Sequence, residues 1–121
     1  MVDGFEELEC YKHAREVRRR ASEFCKILPK DERFRLADQL IRATRSVTAN
    51  IAEGYGRHHH QEHLQFLRQA RGSLYESIDH YHVALDEGYL SLDMHHECVE
   101  QIKTTIRILN GYIRYINSCI K

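Results

Sequence analysis

A chain of 121 residues, 30% charged and 42% hydrophobic, has the size and balance of one globular domain, long enough to bury about two-thirds of its unfolded surface around a single core. Lysine plus arginine equals aspartate plus glutamate at 18 each, which excludes a chain-wide basic field for nucleic acid or membrane, so any polyanion site must be a local patch. One proline and six glycines leave few turns, and no run approaches the roughly 20 apolar residues that span a bilayer. The N-terminal stretch lacks an apolar leader core, so a cytoplasmic location with no membrane partner is expected.

The periodicity predicts an all-α, antiparallel up-and-down four-helix bundle over residues 1–121, with helices at about 5–28, 31–54, 60–87 and 92–119. The first places Phe5, Leu8, Tyr11, Ala14, Val17, Ala21, Phe24 and Leu28 on one face, and Pro29 stops it because proline disfavours helical geometry at Leu28. Asp31 and Glu32 suit the positive end of the second helix. Its seam is Phe34, Ala37, Leu40, Ile41, Thr44, Val47, Thr48 and Ile51. A polar series runs beside it, Gln39, Arg42, Ser46, Asn50, Glu53 and Arg57, at steps of three and four. Such a series is either a solvated face or a hydrogen-bonded layer, and the short amide and hydroxyl side chains favour the layer.

The third helix carries Leu64, Leu67, Ala70, Leu74, Ile78, Tyr81 and Leu85; Gly88 follows as a left-handed cap, and Ser91 or Asp93 can open the fourth helix. The fourth has a seam of Leu92, His95, Val99, Ile102, Ile106, Leu109, Ile113, Ile116 and Ile120. A second stripe of Cys98, Thr105, Ile108, Tyr112, Tyr115 and Cys119 widens its apolar surface enough to suggest contact with another copy. Gly54 lets the second helix end. Gly72, inside the third, costs about 1 kcal/mol relative to alanine, which a close approach by a neighbouring helix would offset.

Chemistry is sparse. Cys10, Cys25, Cys98 and Cys119 form no C-x-x-C pair and read as reduced thiols packed like small apolar residues. Ser46 and Ser73 lie outside any nucleophile elbow, and no Gly-rich loop follows a strand. Nine histidines raise a metal reading: Asp79 with His82, and Asp93 with His96, flank the last turn, and a metal-dependent bundle enzyme built on His82 and His96 is the alternative function. The acids are aspartates at a bundle end, so no catalytic residue, metal, cofactor or small-molecule substrate is expected, and the His58–His63 cluster reads as surface. Arginine dominates the basic clusters, and Arg15, Arg18, Arg19, Arg45, Arg57, Arg68 and Arg71 are candidate nucleic-acid contacts.

The stretch Leu28–Arg33, then Gln39, Arg42, Ser46, Asn50 to Gly54, Arg57, and Ala70 to Ser73 with Glu76, resembles the four-helix-bundle family encoded in intervening sequences of bacterial 23S ribosomal RNA genes. Tyr11, where tryptophan is common, and the triple histidine after Arg57 depart from its pattern. The resemblance implies a homopentameric ring. It also implies kinship with accessory proteins of diversity-generating retroelements, which bind a reverse transcriptase and RNA, so RNA or a ribonucleoprotein is the expected partner. Gln39, Arg42, Ser46, Asn50, Glu53, Gly72, Ser73 and Glu76 are the positions it assigns to assembly or a polar network, matching the polar series found from spacing.

Overall fold

The computed structural model describes residues 3–120. Among these residues it holds four α-helices, no strand, and two short 3-10 turns: α1 (Glu9–Cys25), α2 (Leu36–Tyr55), α3 (His60–Asp86) and α4 (Leu92–Ser118), with turns at Phe5–Glu7 and Lys30–Glu32. Helices adjacent in sequence pack on one another and α1 closes on α4, while the Phe24 ring of α1 meets Tyr81 of α3 across the core with centroids 5.6 Å apart, so the helices form a four-cornered bundle. Cross-contacts fix the directions. Cys25 meets Ala37 while Arg18 meets Thr48; Ser46 meets Ser73; His82 meets His95 while Arg71 meets Asn110. Sequence number rises on one partner as it falls on the other in the first and last pairs, and Gly54 against His63 with Ser46 against Ser73 shows the same for α2 and α3, which makes the bundle up-down-up-down.

One buried cluster joins all four helices, with Ala14, Leu40, Ile51, Leu67, Leu74, Ile102 and Leu109 inaccessible to solvent. The predicted seams account for most of it. Two seam positions turn outward. Phe34 is 82% exposed because α2 starts at Leu36 rather than at 31. Pro29 cannot donate a backbone N–H, and after it Lys30–Glu32 winds into a 3-10 turn that leaves Phe34 under the Arg33 guanidinium, 5.4 Å from the ring centre. Leu92, the first residue of α4, is 70% exposed.

The 3-10 turn also delivers Glu32 to a buried position, where its carboxylate accepts hydrogen bonds from the Leu36 N–H (3.3 Å) and the Tyr89 hydroxyl (2.7 Å). This one side chain caps α2 and ties it to the turn between α3 and α4. The Tyr89 hydroxyl bond, first among the causes, holds the Glu32 carboxyl below its usual range, and the carboxylate in return pushes Tyr89 up to about 12. At the first helix, Leu8 is extended, so α1 begins at Glu9; it ends at Cys25, short of the expected 28, with Lys26 to Leu28 held by i to i+3 bonds ahead of Pro29.

The last turn follows expectation. Gly88 takes φ +77, Gly88 N–H donates to Leu85 and Tyr89 N–H to Ala84, and the Ser91 hydroxyl accepts from Met94 N–H at 3.1 Å. The breadth of α4 is met inside the bundle: Cys98 and Thr105 are buried, Ile108, Tyr112 and Cys119 half-buried, and only Tyr115 of the second stripe is exposed. Lying between α1 and α3, α4 has two partners for its two stripes.

The close approach expected at Gly72 occurs at Gly54 instead. Gly54 is buried inside α2, which continues to Tyr55, and a Cβ there would meet His63 Cδ2 at 2.9 Å, Phe66 Cβ at 3.0 Å and the His63 carbonyl at 3.2 Å. Gly72 is exposed, and a Cβ there would meet nothing within 4 Å. The close helix approach is at Gly54. Gly54→Ala should therefore lose stability by about 1–2 kcal/mol in urea unfolding, overpacking outweighing the gain in helix propensity. Unchanged or raised stability would mean α2 and α3 are not in contact there.

Candidate functional site

Polar side chains concentrate on two neighbouring faces. On the α2–α3 face, Asn50 donates to the Ser46 carbonyl (2.8 Å) and hydroxyl (2.9 Å), and the Ser73 hydroxyl donates to the Ser46 hydroxyl at 2.9 Å across the helices. These three half-buried groups are the layer expected of the polar series. The rest of the set lines its edges without joining it. Arg42 pairs with Asp38 (3.0 Å), Glu53 with Arg57 (3.0 Å) and Glu76 with His80 (2.9 Å), while Gln39 and Gly72 are exposed. Gly72 and Ser73 are adjacent in sequence, so a bare patch of α3 backbone sits at the margin of the layer.

The α1–α2 face is basic. Arg18, Arg19 and Arg45 line a shallow groove with Ser22, Ile41 and Thr44, and Arg15 and Lys12 border the depression beside it, together with Glu6 and Glu16. Arg18 donates to the Thr48 hydroxyl at 3.0 Å and Arg19 lies 3.7 Å from Glu16, whereas Arg15, Arg18 and Arg45 have no carboxylate partner among the described residues. Four of the seven candidate arginines thus share one face. The other three do not. Arg57 is held between Glu53 and Glu62 and lies over Phe66, Arg71 donates to Asn110 at 2.8 Å, and Arg68 stands exposed on α3.

An apolar cavity of about 470 Å³ opens between α1 and the α3–α4 turn, lined by Phe24, Ile27, Leu90, Met94 and Cys98, with Arg20 and Glu23 at its rim. It holds no paired nucleophile and base. Burial raises the Cys98 thiol, pushes Cys10 up to about 12 and Cys25 up to about 11, so none is a thiolate at neutral pH. Nor do His82 and His96 come together: His82 Nδ1 lies 2.9 Å from His95 Nε2, and His96 is exposed. The seam position His95 is only half-buried, because at this end the α3–α4 turn leaves it facing His82 rather than the core. Among the described residues no three His, Cys, Asp or Glu side chains converge as metal ligands, and no helix is long and apolar enough to cross a membrane.

Fold and surface together define an all-α four-helix protein whose distinctive polar groups form faces between helices. The chain belongs to the 23S rRNA-intervening sequence protein family, whose profile matches residues 6–111. A crystal structure of a protein of unknown function from the S23 ribosomal protein family of Bacteroides thetaiotaomicron shares the fold, with a TM-score of 0.80 and 17% identity over 87% of this chain and 95% of that one. No curated protein matches the chain by sequence.

His63 departs from the surface cluster expected over His58–His63, because it lies beside Leu64 on the inward side of α3 while His58, His59 and His60 are exposed. It is 6% exposed, packs edge-on to Tyr112 at 5.4 Å, and its Nε2 has no hydrogen-bond partner among the described residues. Burial, then the neighbouring His60, holds its pKa below the ordinary value. The folded value lies below the unfolded one, about 6.5, so His63 favours folding fully above that pH and progressively less as pH falls through it. His63→Leu should flatten the loss of stability between pH 7 and pH 5 in urea titrations. An unchanged slope would place the acid sensitivity elsewhere.

Proposed function

We propose that this protein is a non-enzymatic, cytoplasmic helical bundle that assembles with copies of itself into a ring, a pentamer by family resemblance, and acts as an RNA-associated accessory protein. The observation that carries the RNA reading is the α1–α2 face, where Arg15, Arg18 and Arg45 sit without carboxylate partners on a chain whose net charge is zero. Guanidinium groups without carboxylate partners along a groove between helices suit bidentate contact with phosphate, and repetition around a ring would strengthen a patch too small to hold RNA alone. Binding to structured RNA such as a 23S rRNA intervening stem should weaken with salt. Replacing both Arg18 and Arg45 with Gln should lower the salt slope by about 2, while Arg68→Gln leaves it unchanged. Equal effects at the two faces, or no binding at low salt, would defeat this reading.

Assembly is assigned to the α2–α3 face. Gly72 exposes helix backbone at a cost of about 1 kcal/mol, and nothing within the monomer offsets it. Arg68, Gly72, Tyr75, Asp79 and Val83 follow one another at steps of three and four along the outer side of α3, with Tyr75 58% exposed. A helix of another copy laid along this stripe would cover Tyr75 and use the missing side chain. Light scattering should show an oligomer that Gly72→Arg and Tyr75→Asp each convert to monomer while far-UV circular dichroism stays helical. A wild-type monomer at micromolar concentration, or variants that assemble normally, would remove the assignment.

A further inference from the structure

We infer that His82 and His95 form a two-nitrogen site for a borderline transition cation of the zinc, nickel or copper class, clipping α3 to α4 beside their turn. The two rings come from different helices, and the capped turn fixes the offset between them: Gly88 and Tyr89 N–H groups close the end of α3, and Ser91 opens α4. His82 Nδ1 and His95 Nε2 are 2.9 Å apart, with ring centroids 5.1 Å apart and planes tilted by 35°.

Two neutral imidazole nitrogens at that distance must share one proton, one acting as N–H and the other as lone pair. A cation can take the proton's place and engage both lone pairs, the displaced proton moving to the outer nitrogen of the same ring. Neighbouring ligands at 2.0–2.1 Å from one metal lie about 2.8–3.4 Å apart for right-angled to tetrahedral geometry. The observed separation falls inside that range. Burial and the neighbouring His82 and His96 weigh against positive charge at His95, and the Asp86 carboxylate, one helical turn beyond His82, offsets part of this. Imidazole selects zinc, nickel and copper over magnesium and calcium, which prefer oxygen.

With two protein donors, water would complete the coordination shell, so the site is open and exchangeable. It differs from the Asp79, His82, Asp93 and His96 grouping expected from spacing, since the second ring belongs to His95 and no carboxylate is a required ligand.

The test uses full-length protein in which His58, His59 and His60 are replaced by Ser, because that exposed cluster can bind metal by itself. Titration with Zn2+ alone by calorimetry should give one equivalent per chain at micromolar concentration. Imidazole 15N spectra should shift at His82 and His95 and not at His96, and melting temperature should climb with free Zn2+. Losing even an outer-shell partner costs about 10- to 100-fold in metal affinity, so His82→Gln and His95→Gln should each weaken binding by at least that much and abolish the melting shift. His96→Gln should do neither. His82 and His96 are exposed and His95 half-buried, none belongs to the core, and unchanged circular dichroism confirms that each variant folds. Binding only at millimolar Zn2+, full affinity in His95→Gln, or equal loss in His96→Gln would overturn the site.

Discussion

The missing side chain at Gly54 sets the distance at which α2 and α3 pack, and the polar arrangement of the protein follows from it. Backbone and the fixed Cβ of Phe66 lie where a Gly54 Cβ would go, so the two helices cannot close to this separation with any larger residue. From that end the register runs along the pair. Ser46 reaches Ser73 midway, and Glu32 reaches Tyr89 at the far end, where the second bond also fixes the α3–α4 turn. Hydroxyl-to-hydroxyl contact at 2.9 Å has little reach to spare. A wider separation would detach Ser73 from the Ser46–Asn50 pair, which lies within α2, and end the layer at one helix.

Charge is distributed by face, which the overall balance conceals. Ion pairs along single helices, Lys12 with Glu9, Lys26 with Glu23 and Arg42 with Asp38, occupy much of the exposed basic inventory, and such pairs stabilise by about 0–1 kcal/mol at most. The arginines without carboxylate partners on the α1–α2 face are therefore set apart by the packing of two helices, each supplying part of it. A neutral chain can in this way present a cationic surface on one side and a hydrogen-bonded polar layer on the next.

The helices and their core were legible because burial imposes a period on each helix that does not depend on its partners. Ala14, Leu40, Leu74 and Leu109 are buried as their spacing requires. The failures share a cause. Phe34 and Leu92 fit the seam by spacing but lie where a turn displaces the chain, and Glu32 is buried because Tyr89, 57 residues later, is there to meet it. Gly54 and Gly72 look alike in sequence; only the presence or absence of a neighbour distinguishes them. His95 and His96 are adjacent, and a single residue of phase decides which ring faces α3. Of the arginines, helix spacing groups Arg15, Arg18 and Arg19, but that Arg45 joins them depends on how α1 and α2 dock. His63 groups by sequence with the exposed histidines before it because residue type alone does not show that it sits on the buried side of α3, beside Leu64.

Gly72 has a mechanical consequence as well. α3 is continuous over His60–Asp86, yet near its middle stands the residue with the greatest backbone freedom, exposed to water and unsupported by any neighbour. Its two halves are anchored differently, the first by Gly54 and α2, the second by Tyr81 in the core and by the α3–α4 turn. Around the glycine, Ala70 and Leu74 are fully buried, Arg71 is tied to Asn110 and Ser73 to Ser46, so the freedom at Gly72 is confined to the outer side of a single turn, which can adjust its surface without loosening the core side of α3.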